Sequence, residues 1–344
     1  FYGRIGDMAE HKKIQIAATG SWVPSHRVTN EMLAKKLDTT DEWIVSHTGI
    51  HARHVAQAGE TTSSAAVHAS RIALERAGVA ADELGCIVLA TSTPDYTLPS
   101  TACLVHRELK AGRAAAFDVS AACTGFVYAM DIARGLMVRD PRPTLVIGAD
   151  LMTRIVDWTD RNVCVLFGDG AGAVVLKWGS GDAGLGESIL RVDSEGFFAL
   201  RREGGNRHHL SEQVDAPSVR SFLHMEGKPV FNFAVKAIDE VVTELLEKSG
   251  MTLDQVKLIV PHQANFRIID AAARRLKTGA DKFFLNIAEV ANTSAASIPL
   301  ALDALVNANR LQAGDYLIFV GFGAGLTYGG VLVRWGCNAP LAVV

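Results

Sequence analysis

Residues 120–136 read SAACTGFVYAMDIARGL, and residues 291–306 read ANTSAASIPLALDALV. Both stretches begin with small polar residues and continue with apolar residues three and four positions apart, which is the spacing of an amphipathic helix. A similar start followed by a similar helical pattern, found twice in one chain, predicts two copies of one structural unit.

Short runs rich in β-branched residues flank both stretches and predict buried strands that alternate with helices. The runs of the first set are CIVLA (86–90), AAAFDVS (114–120), TLVIGA (144–149) and CVLF (164–167). Those of the second set are KLIVPH (257–262), FFLNIA (283–288), YLIFVG (316–321) and VLVRW (331–335). We therefore predict an α/β fold of two halves, residues 1–178 and 179–344, packed as layers of helix and sheet. The Gly-rich, charged segment 179–221 is predicted to be their connection with surface loops.

Composition and charge limit the partners, the cellular location and the kinds of site that we expect. The chain has 344 residues, 49% hydrophobic and 21% charged, enough for one large core or two ordinary ones. Its net charge of -3 is spread along the chain, so we expect no nucleic-acid or membrane partner. No apolar stretch reaches the roughly 18 residues of a membrane span, and the start lacks a secretory signal, so a cytoplasmic protein is expected. Five cysteines without CxxC spacing predict neither a disulfide framework nor a zinc site.

Cys123 lies among small residues at the predicted change from strand to helix. A single cysteine is usually a core residue, so only the surrounding sequence can indicate a reactive role for Cys123. A helix start offers unpaired backbone N–H groups and the positive end of the helix dipole, which lower the pKa of a thiol. The small neighbours would let a carbonyl group approach the sulfur, and the position therefore predicts a nucleophile.

Three elements of the second half are candidate partners for this thiol. His262 closes a predicted strand in PHQAN, although a histidine there could equally be a cap or a core residue. Asn292 is interpreted as the repeat equivalent of Cys123, so that pseudo-twofold packing would bring both helix starts together. The glycines of GFGAG (321–325) would allow backbone N–H groups to approach a reacting oxygen, as an oxyanion hole requires.

The chain resembles the β-ketoacyl-acyl-carrier-protein synthase III family, the initiating condensing enzymes of the thiolase superfamily. The resemblance extends from residues 17–24 to 328–335. It implies a thiolase-like, five-layered αβαβα fold of two duplicated halves and a homodimer. The stretches that carry it are DEWIVSHTGI (41–50), TSTPD (91–95), DVSAACTGF (118–126), FGDGAGAVVL (167–176), PHQANFRI (261–268), NTSAASIP (292–299) and GFGAGLTYGG (321–330).

By the same resemblance, Cys123, His262 and Asn292 are the catalytic residues. Cys123 would attack an acyl-CoA thioester, with the oxyanion held by its own N–H and by the turn at Gly323 and Ala324. His262 and Asn292 would then stabilise the enolate formed as malonyl-acyl carrier protein loses carbon dioxide. The product would be a 3-oxoacyl-acyl carrier protein, and no metal or organic cofactor is expected.

Binding residues follow from the family pattern. Trp43 and Arg161 would enclose the CoA adenine. Leu98 would reach into the partner's acyl pocket. His47 and Asn232 replace a common arginine and lysine, which would reduce the positive charge near the CoA phosphates. The other expected substrate-binding residues are Gly227, Phe231, Asn265, Arg267 and Phe322, and those expected to dock an acidic carrier protein are Arg267, Arg274 and Arg275.

Several alternatives share part of this pattern. A relative that passes its acyl group to another acceptor, or a condensing enzyme of secondary metabolism, would keep the same three residues. A cysteine hydrolase also uses Cys, His and Asn. A non-catalytic partner subunit would be expected to lack Cys123. A degradative thiolase would have a second cysteine in GFGAGLTYGG, and an elongating synthase would have histidine at Asn292.

Overall fold

Two sheets, of five and four strands, form the frame of the protein, which this computed structural model describes for residues 12–203 and 222–336, and four strands of the first match the topology of the second. The strand order of the first sheet is β1 (Lys12–Trp22), β7 (Asp169–Ser180), β6 (Thr144–Leu151), β4 (Cys86–Ala90) and β5 (Ala115–Val119). That of the second sheet is β8 (Gly184–Val192), β13 (Thr327–Arg334), β12 (Tyr316–Gly323) and β11 (Val256–Pro261).

The pairing directions repeat from one sheet to the other. Strand β4 is parallel to β6, and β6, β7 and β1 follow in antiparallel pairs. In the same way β11 is parallel to β12, and β12, β13 and β8 follow in antiparallel pairs. Two further short ladders join β2 (Arg27–Thr29) to β3 (Ala52–His54) and β9 (Leu200–Arg201) to β10 (His224–Met225). The predicted duplication is therefore visible in the topology.

Helices complete five layers. Helices α3 (Thr62–Ala77) and α4 (Thr101–Leu109) cover the outer face of the first sheet. Helices α5 (Gly125–Arg139) and α9 (Ser297–Asn307) lie between the two sheets, and α6 (Gly227–Ser249) and α7 (Phe266–Arg275) cover the second. The short helices are α1 (Asn30–Ala34), α2 (Asp41–Thr48) and α8 (Ile287–Val290). No helix in these described ranges is long and apolar enough to cross a membrane.

Successive side chains of a strand point to opposite faces of its sheet, so each sheet contributes to two separate layers of the core. In β4, Val88 faces the central helices, whereas Ile87 and Leu89 pack under α3 and α4. In β12, Phe319 faces the centre, whereas its neighbours on the strand pack under α6 and α7. Both faces of each sheet are thus buried, which explains why the strands read as nearly continuous apolar runs.

The two central helices begin in the same way. A 3₁₀ turn precedes each, Ala122–Thr124 before α5 and Ser294–Ala296 before α9. The first residue of each turn has a left-handed backbone, with φ of 48° at Ala122 and 53° at Ser294. The structural equivalent of Cys123 is therefore Ala295, and the prediction that Asn292 occupies this position is wrong by three residues.

Three predicted segments differ from the structure. CVLF contains a 3₁₀ turn, Cys164–Leu166, instead of a strand. FFLNIA forms a single bridge, between Phe283 and Ile259, before α8 begins. The predicted connection 179–221 contains β8, while its part 204–221 lies outside the described residues. The first two errors share one cause, because a short apolar run indicates burial without specifying a strand.

Asp303 of α9 joins the central layer to the first half. Its carboxylate is buried and accepts hydrogen bonds from the hydroxyl groups of Thr19 and Ser21 in β1, at 2.6 and 2.5 Å. It also accepts from Arg76 of α3 at 2.7 Å and from Asn307 at 3.0 Å. One carboxylate therefore ties β1, α3 and α9 together.

We expect Asp303→Ala to lower the free energy of unfolding by about 3 kcal/mol, because it leaves one buried and three partly buried donors without an acceptor. Urea denaturation followed by circular dichroism measures the change. Ser21→Ala, which removes one donor only, is the matched control and should cost about 1 kcal/mol. Equal losses in the two variants would contradict the connecting role of Asp303.

Candidate active site

Cys123 lies where the end of β12 meets the turn before α5. A Cβ atom added at Gly323 would lie 2.8 Å from the Cys123 nitrogen and 2.9 Å from its Cβ. A Cβ added at Gly321 would lie 2.9 Å from the Cα of Thr124. Only glycine permits this approach, which brings the predicted nucleophile together with the predicted glycine-rich turn.

The surroundings of the Cys123 thiol favour its protonated form. Burial raises the pKa of Cys123 to about 12, and the negative charge of Asp150 also raises it. A hydrogen bond with Ser294, at 3.4 Å between Sγ and Oγ, and the Cys123 backbone N–H act in the opposite direction. The prediction of a lowered thiol pKa is therefore wrong for the unliganded protein, because desolvation exceeds the stabilisation that the helix start provides.

His262 follows β11 directly and is 2% exposed. Its Nδ1 lies 2.7 Å from the hydroxyl oxygen of Ser297, the first residue of α9, and its ring packs edge-on against Phe322. Burial lowers the pKa of His262 to about 3, so the imidazole is neutral at physiological pH. A neutral ring held at Nδ1 can present Nε2 as a hydrogen-bond donor.

Asn292 is fixed through both its backbone and its amide. Its N–H donates to Leu166 at 2.9 Å, and its carbonyl accepts from Gly168 at 3.0 Å. The side-chain Oδ1 accepts from the N–H of Ser294 at 2.9 Å. With Oδ1 occupied in this way, the Nδ2 side of the same amide remains available to a ligand.

One cavity of about 320 Å³ brings the predicted groups together. Its lining includes the predicted catalytic and oxyanion residues Cys123, His262, Asn292, Gly323 and Ala324 and the predicted binding residues Gly227, Phe231, Asn265 and Phe322. The remaining wall is mostly apolar, and its members include Met152, Ile155, Phe167, Leu200, Leu223 and Met225. The sequence carries no signal for these wall residues, because they come from separate segments that converge only in the fold.

Trp43 and Arg161 are neighbours outside the cavity lining. The Arg161 guanidinium lies over the Trp43 ring at 5.4 Å, and the His47 ring stacks on Trp43 at 4.5 Å. Arg161 also contacts the backbone carbonyl of Asp38. Trp43 and Arg161 therefore lie side by side, but they are in direct contact and leave no gap between them for an adenine ring.

The predicted docking arginines differ in their surroundings. Arg274 forms an ion pair with Asp270, and Arg275 with Asp239 at 2.6 Å. Arg267 donates from Nε to the carbonyl of Ser46 at 3.1 Å and forms no ion pair within residues 12–203 and 222–336. Much of the positive charge predicted for α7 is therefore neutralised within the protein.

Two further buried groups, Asp150 and Ser294, belong to the site and were not predicted. Asp150 directly follows the apolar run TLVIGA, and Ser294 lies in the quoted NTSAAS stretch. A carboxylate at the end of a buried strand was the available signal. The described residues contain no group of three or more His, Cys, Asp and Glu side chains suited to a metal ion.

Comparison with known families gives two matches along the chain. Residues 117–194 match the 3-oxoacyl-[acyl-carrier-protein (ACP)] synthase III family, and residues 246–335 match the C-terminal part of the same enzyme. A β-ketoacyl-[acyl-carrier-protein] synthase III of Clostridium beijerinckii is 44% identical over 323 residues, which cover 94% of this chain and 99% of the relative.

Solved structures give the same result. The 3-oxoacyl-[acyl-carrier-protein] synthase III of Aquifex aeolicus has a TM-score of 0.86 and 40% identity, covering 94% of this chain and all of that one. The priming β-ketosynthase of the R1128 polyketide pathway has a TM-score of 0.89 and 35% identity, covering 96% and 98%. These neighbours confirm the predicted thiolase-like fold.

The raised pKa of Cys123 predicts how the reactivity of this thiol depends on pH. Because the thiol is the resting form, the thiolate fraction should rise about tenfold per pH unit from about pH 7 to about pH 10, without a plateau. The rate of iodoacetamide alkylation, read from the mass of the Cys123 peptide, measures this. The exposed Cys103 serves as an internal control for reagent stability. A plateau at or below neutral pH would show instead that a stable thiolate exists.

Proposed function

The chain belongs to the 3-oxoacyl-[acyl-carrier-protein] synthase III family, and we propose that Cys123, His262 and Asn292 divide its reaction into two steps. It is a condensing acyltransferase. In the proposed reaction, a short or branched acyl-CoA primer and malonyl-acyl carrier protein give a 3-oxoacyl-acyl carrier protein, CoA and carbon dioxide. This reaction initiates fatty acid biosynthesis, and we place it in the cytoplasm. The observation that carries the assignment is one cavity lined by a thiol, a neutral imidazole and an amide.

The first step transfers the acyl group to the enzyme. Cys123 Sγ attacks the thioester carbonyl, the bond between carbon and the CoA sulfur breaks, and CoA leaves as its thiol. The backbone N–H groups of Cys123 and of the Gly323 to Ala324 turn hold the developing oxyanion. The close approach of Gly323 to Cys123 supports this assignment, since it brings the backbone of the turn next to the Cys123 nitrogen.

The second step forms the carbon–carbon bond. His262 Nε2 and Asn292 Nδ2 donate to the thioester oxygen of the malonyl group, and carbon dioxide leaves as the enolate develops. The enolate carbon attacks the acyl-cysteine and releases Cys123. The low pKa of His262 supports a neutral donor, and the Ser297 hydroxyl would donate to Nδ1 to keep the proton on Nε2. All of these groups come from the protein, so we propose that no cofactor takes part.

Binding of CoA requires one local movement. Arg161 lies over Trp43 at 5.4 Å, whereas an adenine between them needs about 3.5 Å on each side. Apart from its contact with Trp43, the contacts of Arg161 in the described part of the chain are exposed ones with Asp38, so the movement costs little. On the rim, Arg267 is the best candidate to meet the acidic carrier protein, because Arg274 and Arg275 already have acidic partners.

A second copy of the chain would complete the assembly. Among residues 12–203 and 222–336, strand β5 has a neighbour on one side only, and its residues are partly exposed. Asp118 of β5 accepts hydrogen bonds from the N–H groups of Thr101 and Ala102, which anchors the preceding loop beside this edge. That loop presents Leu98, 86% exposed, and Tyr96, 59% exposed. We propose that β5 pairs across a homodimer and that Leu98 enters the partner, because an exposed apolar edge invites pairing.

The alternative function is that of a condensing enzyme of secondary metabolism, or of an acyltransferase, that uses another acceptor; the TM-score of 0.89 to a priming β-ketosynthase of a polyketide pathway is the observation that raises it. The first step would be unchanged, and only the nucleophile that attacks the acyl-cysteine would differ. Product analysis with malonyl-acyl carrier protein, alcohols and amines distinguishes the two functions. Release of a 3-oxoacyl carrier protein supports the condensation, and transfer to an alcohol or amine without malonate supports the alternative.

Substitution should separate the two steps. We expect Cys123→Ala to abolish acyl adduct formation but to retain decarboxylation of malonyl-acyl carrier protein. His262→Ala should still form the adduct but lose about a hundredfold or more in condensation, because one enolate donor is gone. Intact mass and release of carbon dioxide are the measurements. His54→Ala, outside the cavity lining, is the control, and loss of adduct formation in His262→Ala would contradict this division.

The dimer makes a separate prediction. Leu98→Asp should shift the protein from dimer to monomer in sedimentation velocity and reduce condensation, because it would bury a charge in the interface. Val138→Asp changes another exposed apolar residue, 64% exposed on α5, and should leave the dimer intact. A wild-type protein that sediments as a monomer would exclude the proposed pairing.

A further inference from the structure

Ser294 connects the nucleophile to a buried carboxylate. The Cys123 thiol donates to the Ser294 hydroxyl, with 3.4 Å between Sγ and Oγ. The Ser294 side chain also interacts with the Asp150 carboxylate, an interaction that acts to lower the pKa of that carboxyl. The N–H of the next residue, Ala295, donates to Asp150 Oδ2 at 3.0 Å. The Ser294 hydroxyl therefore lies next to both the thiol and the carboxylate, at the boundary between the two halves.

Asp150 is surrounded by neutral donors only. It is 0% exposed, and its Oδ1 accepts from the hydroxyl groups of Thr91 and Thr93 and from the N–H groups of Ser92 and Thr93, at 2.7–3.1 Å. No cation pairs with it among residues 12–203 and 222–336. Burial raises the pKa of Asp150, which makes proton uptake easier than at an exposed carboxylate.

The backbone places the Ser294 hydroxyl at this point. Ser294 has a φ of 53°, which is unusual for a residue other than glycine. Its N–H is held by Asn292 Oδ1 and its side chain is 1% exposed. The equivalent residue before α5 is Ala122, so the same turn forms without a hydroxyl group. The turn therefore does not require serine at this position.

From this arrangement we infer that Ser294 and Asp150 carry the proton of Cys123 during acylation. As Sγ attacks the thioester carbonyl, the thiol proton passes to Ser294 Oγ and the hydroxyl proton passes to Asp150. When the bond to CoA breaks, the same chain returns one proton to the leaving CoA sulfur. The carboxylate and the hydroxyl end unchanged, and the net products are acyl-cysteine and CoA thiol.

The neighbouring imidazole is a poor substitute for this acceptor. His262 Nδ1 is occupied by Ser297, and burial holds the pKa of His262 near 3, far below that of a useful base. Asp150, by contrast, reaches the thiol through a single hydroxyl group. Ser294 is in this view a catalytic residue, and Asp150 acts through it.

This inference rests on the proposed function for its physiological step, but alkylation tests it without any acyl-CoA. Ser294→Ala keeps the backbone N–H that holds Asn292 and removes only the hydroxyl group. We expect acylation by acetyl-CoA, followed by rapid quench and intact mass, to slow about a hundredfold. Iodoacetamide alkylation of Cys123 at a fixed pH should slow as well, while decarboxylation of malonyl-acyl carrier protein stays within about threefold. Ser70→Ala, a buried serine in α3, is the matched control.

Asp150→Asn distinguishes proton transfer from a purely electrostatic effect. Asp150 raises the pKa of the thiol by its charge, so removing that charge alone would speed the reaction of Cys123. Loss of a proton acceptor would instead slow acylation, which is the expected result. Thermal denaturation shows whether Asp150→Asn is folded. If it is not, the acylation rate of Ser294→Ala alone tests the inference.

Two results would overturn the inference. One is acylation in Ser294→Ala at the wild-type rate, and the other is a folded Asp150→Asn that acylates as fast as wild type or faster. If the wild-type protein accepts no acyl-CoA, the proposed function fails. The alkylation rate of Ser294→Ala then still decides whether the hydroxyl group assists the thiol.

Discussion

The structure depends on how closely each half's central strand approaches the helix start of the other half. A Cβ at Gly148 of β6 would lie 2.2 Å from the carbonyl oxygen of Ala295, and one at Gly323 of β12 would lie 2.8 Å from the Cys123 nitrogen. Both contacts are between backbones, so any side chain at either glycine would separate the halves. The same approach that packs the core therefore also assembles the site.

Burial then determines the electrostatic character of that site. The thiol and the imidazole are both neutral at rest, because desolvation disfavours the charged form of each group. It raises the pKa of the thiol and lowers the pKa of the imidazole. Such a site works through directed hydrogen bonds, which strengthen when water is excluded. Asn292, held at Oδ1, and His262, held at Nδ1, fit this chemistry because each has one fixed side and one side left to donate.

The repeated topology also explains an asymmetry between the halves. Ala295 is the structural equivalent of Cys123, and its N–H is occupied by the Asp150 carboxylate. The corresponding N–H of Cys123 is the one assigned to the substrate oxyanion. In one half, then, a protein carboxylate fills the position at the helix start, and in the other the position faces the cavity. Duplication provided two similar helix starts, and only one retains space for a ligand.

The sequence by itself determined the two-sheet α/β fold, the two central helices and the candidate residues Cys123, His262 and Asn292, since these depend on local periodicity and on ordered motifs. It could not determine that CVLF is a 3₁₀ turn, that Asn292 lies three residues from the repeat equivalent of Cys123, or that the thiol pKa is raised. Each of these depends on contacts between distant segments, such as Asp150 with the N–H of Ala295 and Arg53 with the carbonyl of Val165. Burial and partner geometry exist only after the halves have packed, so the tertiary structure alone decided them.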